Sequence, residues 1–323
     1  MAKFIMDSLK IYSQSEINNL IIYREGETKL GEKVQVISSL DGLQSSNAKF
    51  VLLGIPEDIG IRANLGVAGA STTWRPALMA FLNIQSNRFL SGEEILVLGH
   101  FEIEEPEDSA INCLRNKVAE IDNLVYPVIE KIVAAGKIPI VIGGGHNNAY
   151  PIIKGASKAK NQAINVLNVD AHADLRTSEG RHSGNGFTYA LAEKFLENYF
   201  MYGLHQNYNN EAILNQIETN PKLKALFFDD ILKSKPVENI LSGLGETIGL
   251  EIDLDSIQNV LSSAETPSGF SVNDVRKLIL TNPKRFSYLH ISEGATRLLD
   301  GRVSKLTSKL IAYLVSDFVK AQA

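Results

Sequence analysis

The sequence predicts an α/β protein, a doubly wound parallel sheet with helices on both faces, and three observations predict it. Short runs rich in Val, Ile, Leu and Phe recur along the 323 residues; most are nearly continuous in apolar character, as strands covered on both faces are; and the intervening segments carry apolar residues at helical spacing. Residues 1–45 precede the first run and read as an N-terminal extension, with a helix at Gln14–Tyr23 and an edge strand at Lys33–Ser38. Strands are then expected at Lys49–Ile55, Glu94–His100, Ile138–Gly145 and Ile164–Asp174. Four more follow at Tyr199–His205, Ala225–Ile231, Ile248–Asp255 and Phe286–Glu293. Between the second and third, Asn116–Ala135 is the clearest helix: Val118, Ile121, Leu124, Val125, Val128, Ile129 and Ile132 form one stripe, and Gly136 stops it. No Pro/Gly/Ser-rich linker, charge block or internal repeat divides the chain, so residues 1–323 are expected to form a single domain.

Composition narrows the function. With 44% hydrophobic and 21% charged residues the chain is an ordinary globular protein, which excludes disorder and a long coiled coil. Thirty-two Lys+Arg against 37 Asp+Glu leave −5, which gives no general reason to bind nucleic acid or an anionic membrane. The N-terminus lacks the apolar core of a signal peptide, and no apolar run reaches the roughly 20 residues that span a bilayer. Cys113 is the only cysteine, so no intrachain disulfide can form; a cytoplasmic location is the expectation.

In an open parallel sheet, ligands gather beyond the carboxyl ends of the strands. Four such ends carry polar residues: Gly143-Gly144-Gly145-His146-Asn147-Asn148, Asp170-Ala171-His172-Ala173-Asp174, Glu251-Ile252-Asp253-Leu254-Asp255 and His290-Ile291-Ser292-Glu293. Asp170, His172 and Asp174 stand at i, i+2 and i+4, which an extended backbone would point the same way; Asp253 and Asp255 repeat the spacing. Ionised carboxylates this close repel, and a divalent cation removes the conflict. With His146, these four carboxylates and two imidazoles fit a pair of octahedral-leaning ions such as Mn²⁺ better than a structural zinc. Two ions about 3.5–4 Å apart hold a bridging hydroxide, so hydrolysis is the expected chemistry. A single strand-end Asp or His is more often a cap, and the glycine run alone could be a phosphate loop; the combination of three strand ends is what points to a metal pair.

These ordered motifs, GGGHNN, DAHAD and EIDLD, resemble those of the ureohydrolase superfamily of arginases, agmatinases, guanidino-acid hydrolases and formimidoylglutamases, from about Lys49 to the C-terminus. The resemblance implies a three-layer α/β/α fold with a mostly parallel eight-stranded sheet and two Mn²⁺ ions. It assigns His146, Asp170, Asp174 and Asp253 to one ion and Asp170, His172, Asp253 and Asp255 to the other. Gly145 stands where arginases and agmatinases usually have Asp, and Arg176 follows the second block; both are closer to formimidoylglutamases. Arg176 could hold a substrate carboxylate in a bidentate pair, an exposed position being the alternative. Ser183 and Asn185, in the stretch Arg181–Phe187, resemble the loop that contacts substrate, while Phe187 occupies the place of the arginase proton-shuttle histidine. His182 or Asp174 is then the expected proton carrier, and Glu293 matches the acidic residue that pairs with the amidine. Glu251 replaces the usual small hydroxyl residue and is either an acid supporting the site or a salt-bridged or exposed residue.

The expected activity is hydrolysis of a linear amidine C–N bond, with N-formimidoyl-L-glutamate as substrate and a homotrimer or homohexamer as the implied assembly. The alternatives are an agmatinase or guanidino-acid hydrolase that releases urea, and a non-catalytic member that kept the ligands. His100, His205 and His290 read as structural histidines, Cys113 as an inert thiol at a helix start, Asn64–Ala70 as either a loop over the site or core packing, and Glu102–Asp108 as a solvated loop.

Overall fold

The computed structural model describes residues 8–233, 244–282 and 285–323. Each of the eight apolar runs overlaps a parallel strand, β2 (Phe50–Gly54), β3 (Ile95–Phe101), β4 (Ile138–Ile142), β5 (Ile164–Val169), β6 (Leu196–Leu204), β7 (Leu223–Phe227), β8 (Ile248–Asp253) and β9 (Phe286–Ser292), although the run expected at Ala225–Ile231 is strand only to Phe227 and turns helical over Phe228–Leu232. A ninth, β1 (Leu9–Ile11), lies antiparallel on β3, and the order across the sheet is β1-β3-β2-β4-β9-β8-β5-β6-β7. Two expectations are corrected here. The edge strand is Leu9–Ile11 and not Lys33–Ser38, where Gln35 alone bridges Leu96; and the helix expected at Gln14–Tyr23 ends at Asn18. Residues 1–7 of the expected extension lie outside the described residues.

Because side chains alternate along a strand, each buried strand feeds two cores. On β2, Phe50 and Leu52 join one apolar cluster while Val51 and Leu53 join the other. Helices Trp74–Leu82, Val272–Thr281 and Leu306–Gln322 pack on the first face; Ile111–Ala134, Ala149–Lys160 and Gly186–Ala192 pack on the second. The result is a three-layer α/β/α fold. Each fully buried side chain such as Leu52 or Val118 contributes about 1.5–3 kcal/mol relative to an exposed one. The stripe expected between Val118 and Ile132 is buried as anticipated, with one polar member, Asp122. No described helix is long and apolar enough to cross a membrane.

The centre of the sheet positions the site. β4, β9, β8 and β5 are neighbours, paired at Ile142↔Ile291, Ile252↔Ile291 and Val169↔Ile252, so their carboxyl ends line up along one edge. Those are the four strand ends that carry the polar residues.

Candidate metal centre

The glycine run after β4 is required by conformation and by space. Gly143 and Gly144 have φ of +87° and +82°, and a Cβ on Gly144 would lie 2.4 Å from the Asn148 amide nitrogen and 2.9 Å from both Glu57 Oε1 and the Ile55 carbonyl. Glu57, fully enclosed after β2, organises this turn. The Gly145 N–H donates to its Oε1 (3.0 Å), as do the side-chain amides of Asn148 (2.6 Å) and Asn147 (3.2 Å), while the Ile59 and Gly60 N–H groups donate to its Oε2. Sequence reasoning missed Glu57; the signal available was an acidic pair, Glu57-Asp58, directly after a strand end on the same edge. A side chain at position 145 would crowd the Asn147 amide oxygen and Ile61, which a Cβ there would approach to 2.5 Å and 2.9 Å.

The other two motifs converge, but not by strand alternation. β5 ends at Val169, and Asp170 Oδ1 then accepts the His172 N–H (2.7 Å), bending the chain so that Asp174 sits in the left-handed region at φ 50°. Asp253 Oδ1 likewise accepts the Asp255 N–H (2.9 Å) at the start of a 3₁₀ turn. These short side-chain-to-backbone turns, and not extended backbone, aim the ligands.

His146 Nδ1 lies 3.2 Å from Asp170 Oδ2, 3.0 Å from Asp174 Oδ2 and 3.2 Å from Asp253 Oδ2. His172 Nδ1 lies 3.1 Å from Asp255 Oδ2 and 3.6 Å from Asp170 Oδ1. The donors thus form two groups, His146/Asp170/Asp174/Asp253 and Asp170/His172/Asp255, joined through the two oxygens of Asp170. The buried His146 Nδ1 and Asp255 Oδ1 have no hydrogen-bond partner, the state expected of atoms that point at a cation. Nitrogen from imidazole with carboxylate oxygen suits a divalent ion of the Mn²⁺ kind, and the residues fit a pair of them.

Electrostatics agree with that reading. Burial pushes the His146 imidazolium down, but the carboxylates of Asp170, Asp174, Asp253 and Glu251 outweigh it and hold the group well above its ordinary value. His172 behaves alike beside Asp255 and Asp170. Burial, with Asp253 nearby, drives the Asp255 and Glu293 carboxyls well up. Without an ion, protons therefore take the place of positive charge. Mn²⁺ binding near pH 7 must expel imidazolium protons, so affinity should rise with pH through the raised values. Calorimetry in two buffers of different ionisation enthalpy is expected to show net proton release, and a release of zero would contradict the arrangement.

The cleft over these donors has a volume of about 210 Å³ and is lined by His172, Asp174, Asp253, Asp255 and Glu293 with Asn64, Arg176, Ser183 and Tyr208. Arg176 is half exposed there, its guanidinium donating to Asn64 Oδ1 (2.9 Å) and lying 3.3 Å from Glu179 Oε1. Glu293, at φ 62°, accepts the His146 N–H (2.8 Å). Tyr208 stacks on His172 with ring centroids 5.3 Å apart. Two residues expected to meet substrate are not brought to the cleft. The His182 ring is buried, its Nδ1 accepting the Gly184 N–H and its Nε2 3.2 Å from Glu179 Oε1; burial and the neighbouring Arg176 hold its pKa down to about 4. Asn185 is fully enclosed, accepting from Arg181 and the His182 N–H and donating to the carbonyls of Thr177 and Gly180. Phe187 packs its edge against the His146 ring, 5.2 Å away. A larger cleft of about 580 Å³ near Tyr12, Trp74 and His100 holds no cluster of metal donors among the described residues, so size does not locate the chemistry.

A family model described as the arginase family matches residues 48–317. The formimidoylglutamase of Macrococcus caseolyticus is 27% identical over 291 residues, covering 87% of this chain and 89% of that protein. Among solved structures, the formiminoglutamase of Trypanosoma cruzi with Mn²⁺ superposes with a TM-score of 0.74 at 20% identity, over 91% of this chain and 98% of that one. The formimidoylglutamase of Bacillus subtilis superposes with a TM-score of 0.77 at 17% identity, over 93% of each.

Proposed function

The chain belongs to the arginase family, and from that premise we propose that it hydrolyses N-formimidoyl-L-glutamate to L-glutamate and formamide with two manganese ions. The observation that carries this reading is the pair of donor groups joined through Asp170 beneath a cleft that also holds the Glu293 carboxylate and the Arg176 guanidinium. His146, Asp170, Asp174 and Asp253 would hold one ion and Asp170, His172 and Asp255 the other, with Asp253 also shared between them as the family resemblance implies. When bound, the ions supply a water activated for attack at neutral pH.

The chain's own residues do the rest. Glu293 offers two acceptor oxygens to the planar amidinium N–C–N unit, which orients the carbon for attack and balances its charge. Arg176 holds a carboxylate of the glutamate moiety, and the Ser183 hydroxyl lines the same wall. The water oxygen adds to the formimidoyl carbon, the bond from that carbon to the glutamate nitrogen breaks, and the nitrogen leaves with an added proton. Asp174 is assigned the delivery of that proton because it opens into the cleft, whereas the His182 ring does not.

Manganese-loaded protein incubated with formimidoylglutamate, agmatine, arginine and guanidinobutyrate, with formamide, ammonia and urea measured separately, tests the reading. Formamide from the first substrate alone is expected; urea from agmatine without formamide overturns the substrate assignment. Arg176→Ala should raise KM for formimidoylglutamate roughly tenfold, a modest figure because the guanidinium is half exposed, while leaving kcat and metal content in place. An unchanged KM would remove Arg176 from the anchor role.

A further inference from the structure

Behind His146, on the side away from the ion donors, lies a buried group that the reaction above does not use. Glu251 on β8 stands opposite His290 on β9, and Glu251, His290 and Tyr288 are all fully buried. The Tyr288 hydroxyl donates to Glu251 Oε1 (2.7 Å), and His290 Nδ1 lies 2.5 Å from Oε2. The same Oε2 faces His146 Nε2 at 3.4 Å, a polar contact short of an aligned hydrogen bond.

The two nitrogens of His146 therefore face opposite ways, Nδ1 toward Asp170, Asp174 and Asp253 and Nε2 toward Glu251. A ligating nitrogen must present a lone pair, so the ring proton belongs on Nε2 and needs an acceptor there. Glu251 is that acceptor, and its own position is fixed from the far side by Tyr288 and His290. We infer that Glu251 is a positioning residue that sets the tautomer and orientation of His146, and through it the affinity of the ion held by His146 and not of its neighbour. This rests on the two-ion reading above. If Glu251 served only as the buried partner of His290, its loss would lower stability without singling out one ion.

Equilibrium dialysis of Mn²⁺ against wild type, Glu251→Leu, Glu251→Gln and Glu251→Asp, with thermal melting of each metal-free protein, separates the two. Wild type is expected to bind two ions per chain; none would defeat the two-ion reading itself. Glu251→Leu should weaken one ion by about 10–100-fold and leave the other at wild-type affinity. Glu251→Gln keeps an oxygen toward both imidazoles while its amide donates to the Tyr288 oxygen, and should restore both ions. Glu251→Asp keeps the charge but withdraws the acceptor by one methylene, so it should lose the same single ion; it reads the inference if the Leu variant does not fold. Two ions at wild-type affinity in Leu or Asp, or a Gln variant as weak as Leu, would overturn it.

Discussion

Asp170→Ala is expected to abolish turnover and to leave neither ion bound after dialysis. Asp170 belongs to both donor groups, its Oδ2 facing His146 and its Oδ1 facing His172. Burial pushes its carboxyl up, yet those two imidazoles pull it below the usual carboxylate range, so it remains charged and available to a cation. Its removal takes a ligand from two ions at once, and the loss should exceed the roughly 10–100-fold that follows the loss of a residue behind a ligand. Asp255→Ala is the informative partner, because Asp255 belongs to the second group alone and one ion should stay. Metal content and kcat/KM, measured on both variants, check the result; two ions retained in Asp170→Ala would end the shared-carboxylate arrangement.

Arg181→Ala should cost about 3–5 kcal/mol of folding stability, the usual consequence of stranding one member of a buried ion pair. Arg181 and Asp122 have side chains only 5% and 6% exposed, joined by Nε to Oδ2 (2.8 Å) and Nη2 to Oδ1 (3.2 Å). The guanidinium also donates to Asn185 Oδ1 (2.8 Å) and the Asn147 carbonyl (2.9 Å), and lies over the rings of Tyr150 and Tyr189. It thereby ties the 181–187 stretch to the loop that carries His146. Denaturant unfolding should show the loss, and an added Asp122→Ala should recover part of it by removing the stranded charge. A loss under about 1 kcal/mol would mean that the pair does not anchor these loops.

Much of this architecture is legible in the chain because a strand buried on both faces must be apolar throughout, and most of the eight runs satisfy that, the edge strand β7 with its exposed Lys224 being an exception. Leu9–Ile11 escapes because an edge strand of three residues with Lys10 exposed leaves almost no pattern, while KVQVIS alternates well yet forms one bridge at Gln35. The metal donors are legible because their side-chain types recur at strand ends. Their geometry is not, since Asp170 and Asp253 bend the backbone by accepting its N–H groups, a choice that spacing cannot display. Glu251 and His290 lie far apart in sequence and meet only because β8 and β9 are adjacent, so a structural reading of His290 missed its partner. The resemblance of the Arg181–Phe187 stretch to the family's substrate loop points to Asn185 at substrate and His182 as proton carrier, but both side chains turn inward to satisfy backbone groups of their own loop.

The left-handed backbone at Asp174 and Glu293 sets heat resistance and function against each other. A residue with a Cβ gives up about 1–2 kcal/mol in that conformation, which glycine avoids. At these two positions glycine would also delete a buried carboxyl that crowds its neighbours when no cation is present. Selection for a higher melting temperature in the absence of added metal would therefore drift toward glycine at both places, and toward a well-folded protein with no chemistry left. The same selection carried out with manganese present would meet the opposite pressure at Asp174, because the bound state adds its own stabilisation to whichever sequences keep the ligand. Metal supply would thus decide which sequences count as stable, and the survival of the Asp174 carboxylate in strained backbone is what a history of folding in the presence of the ion would leave behind.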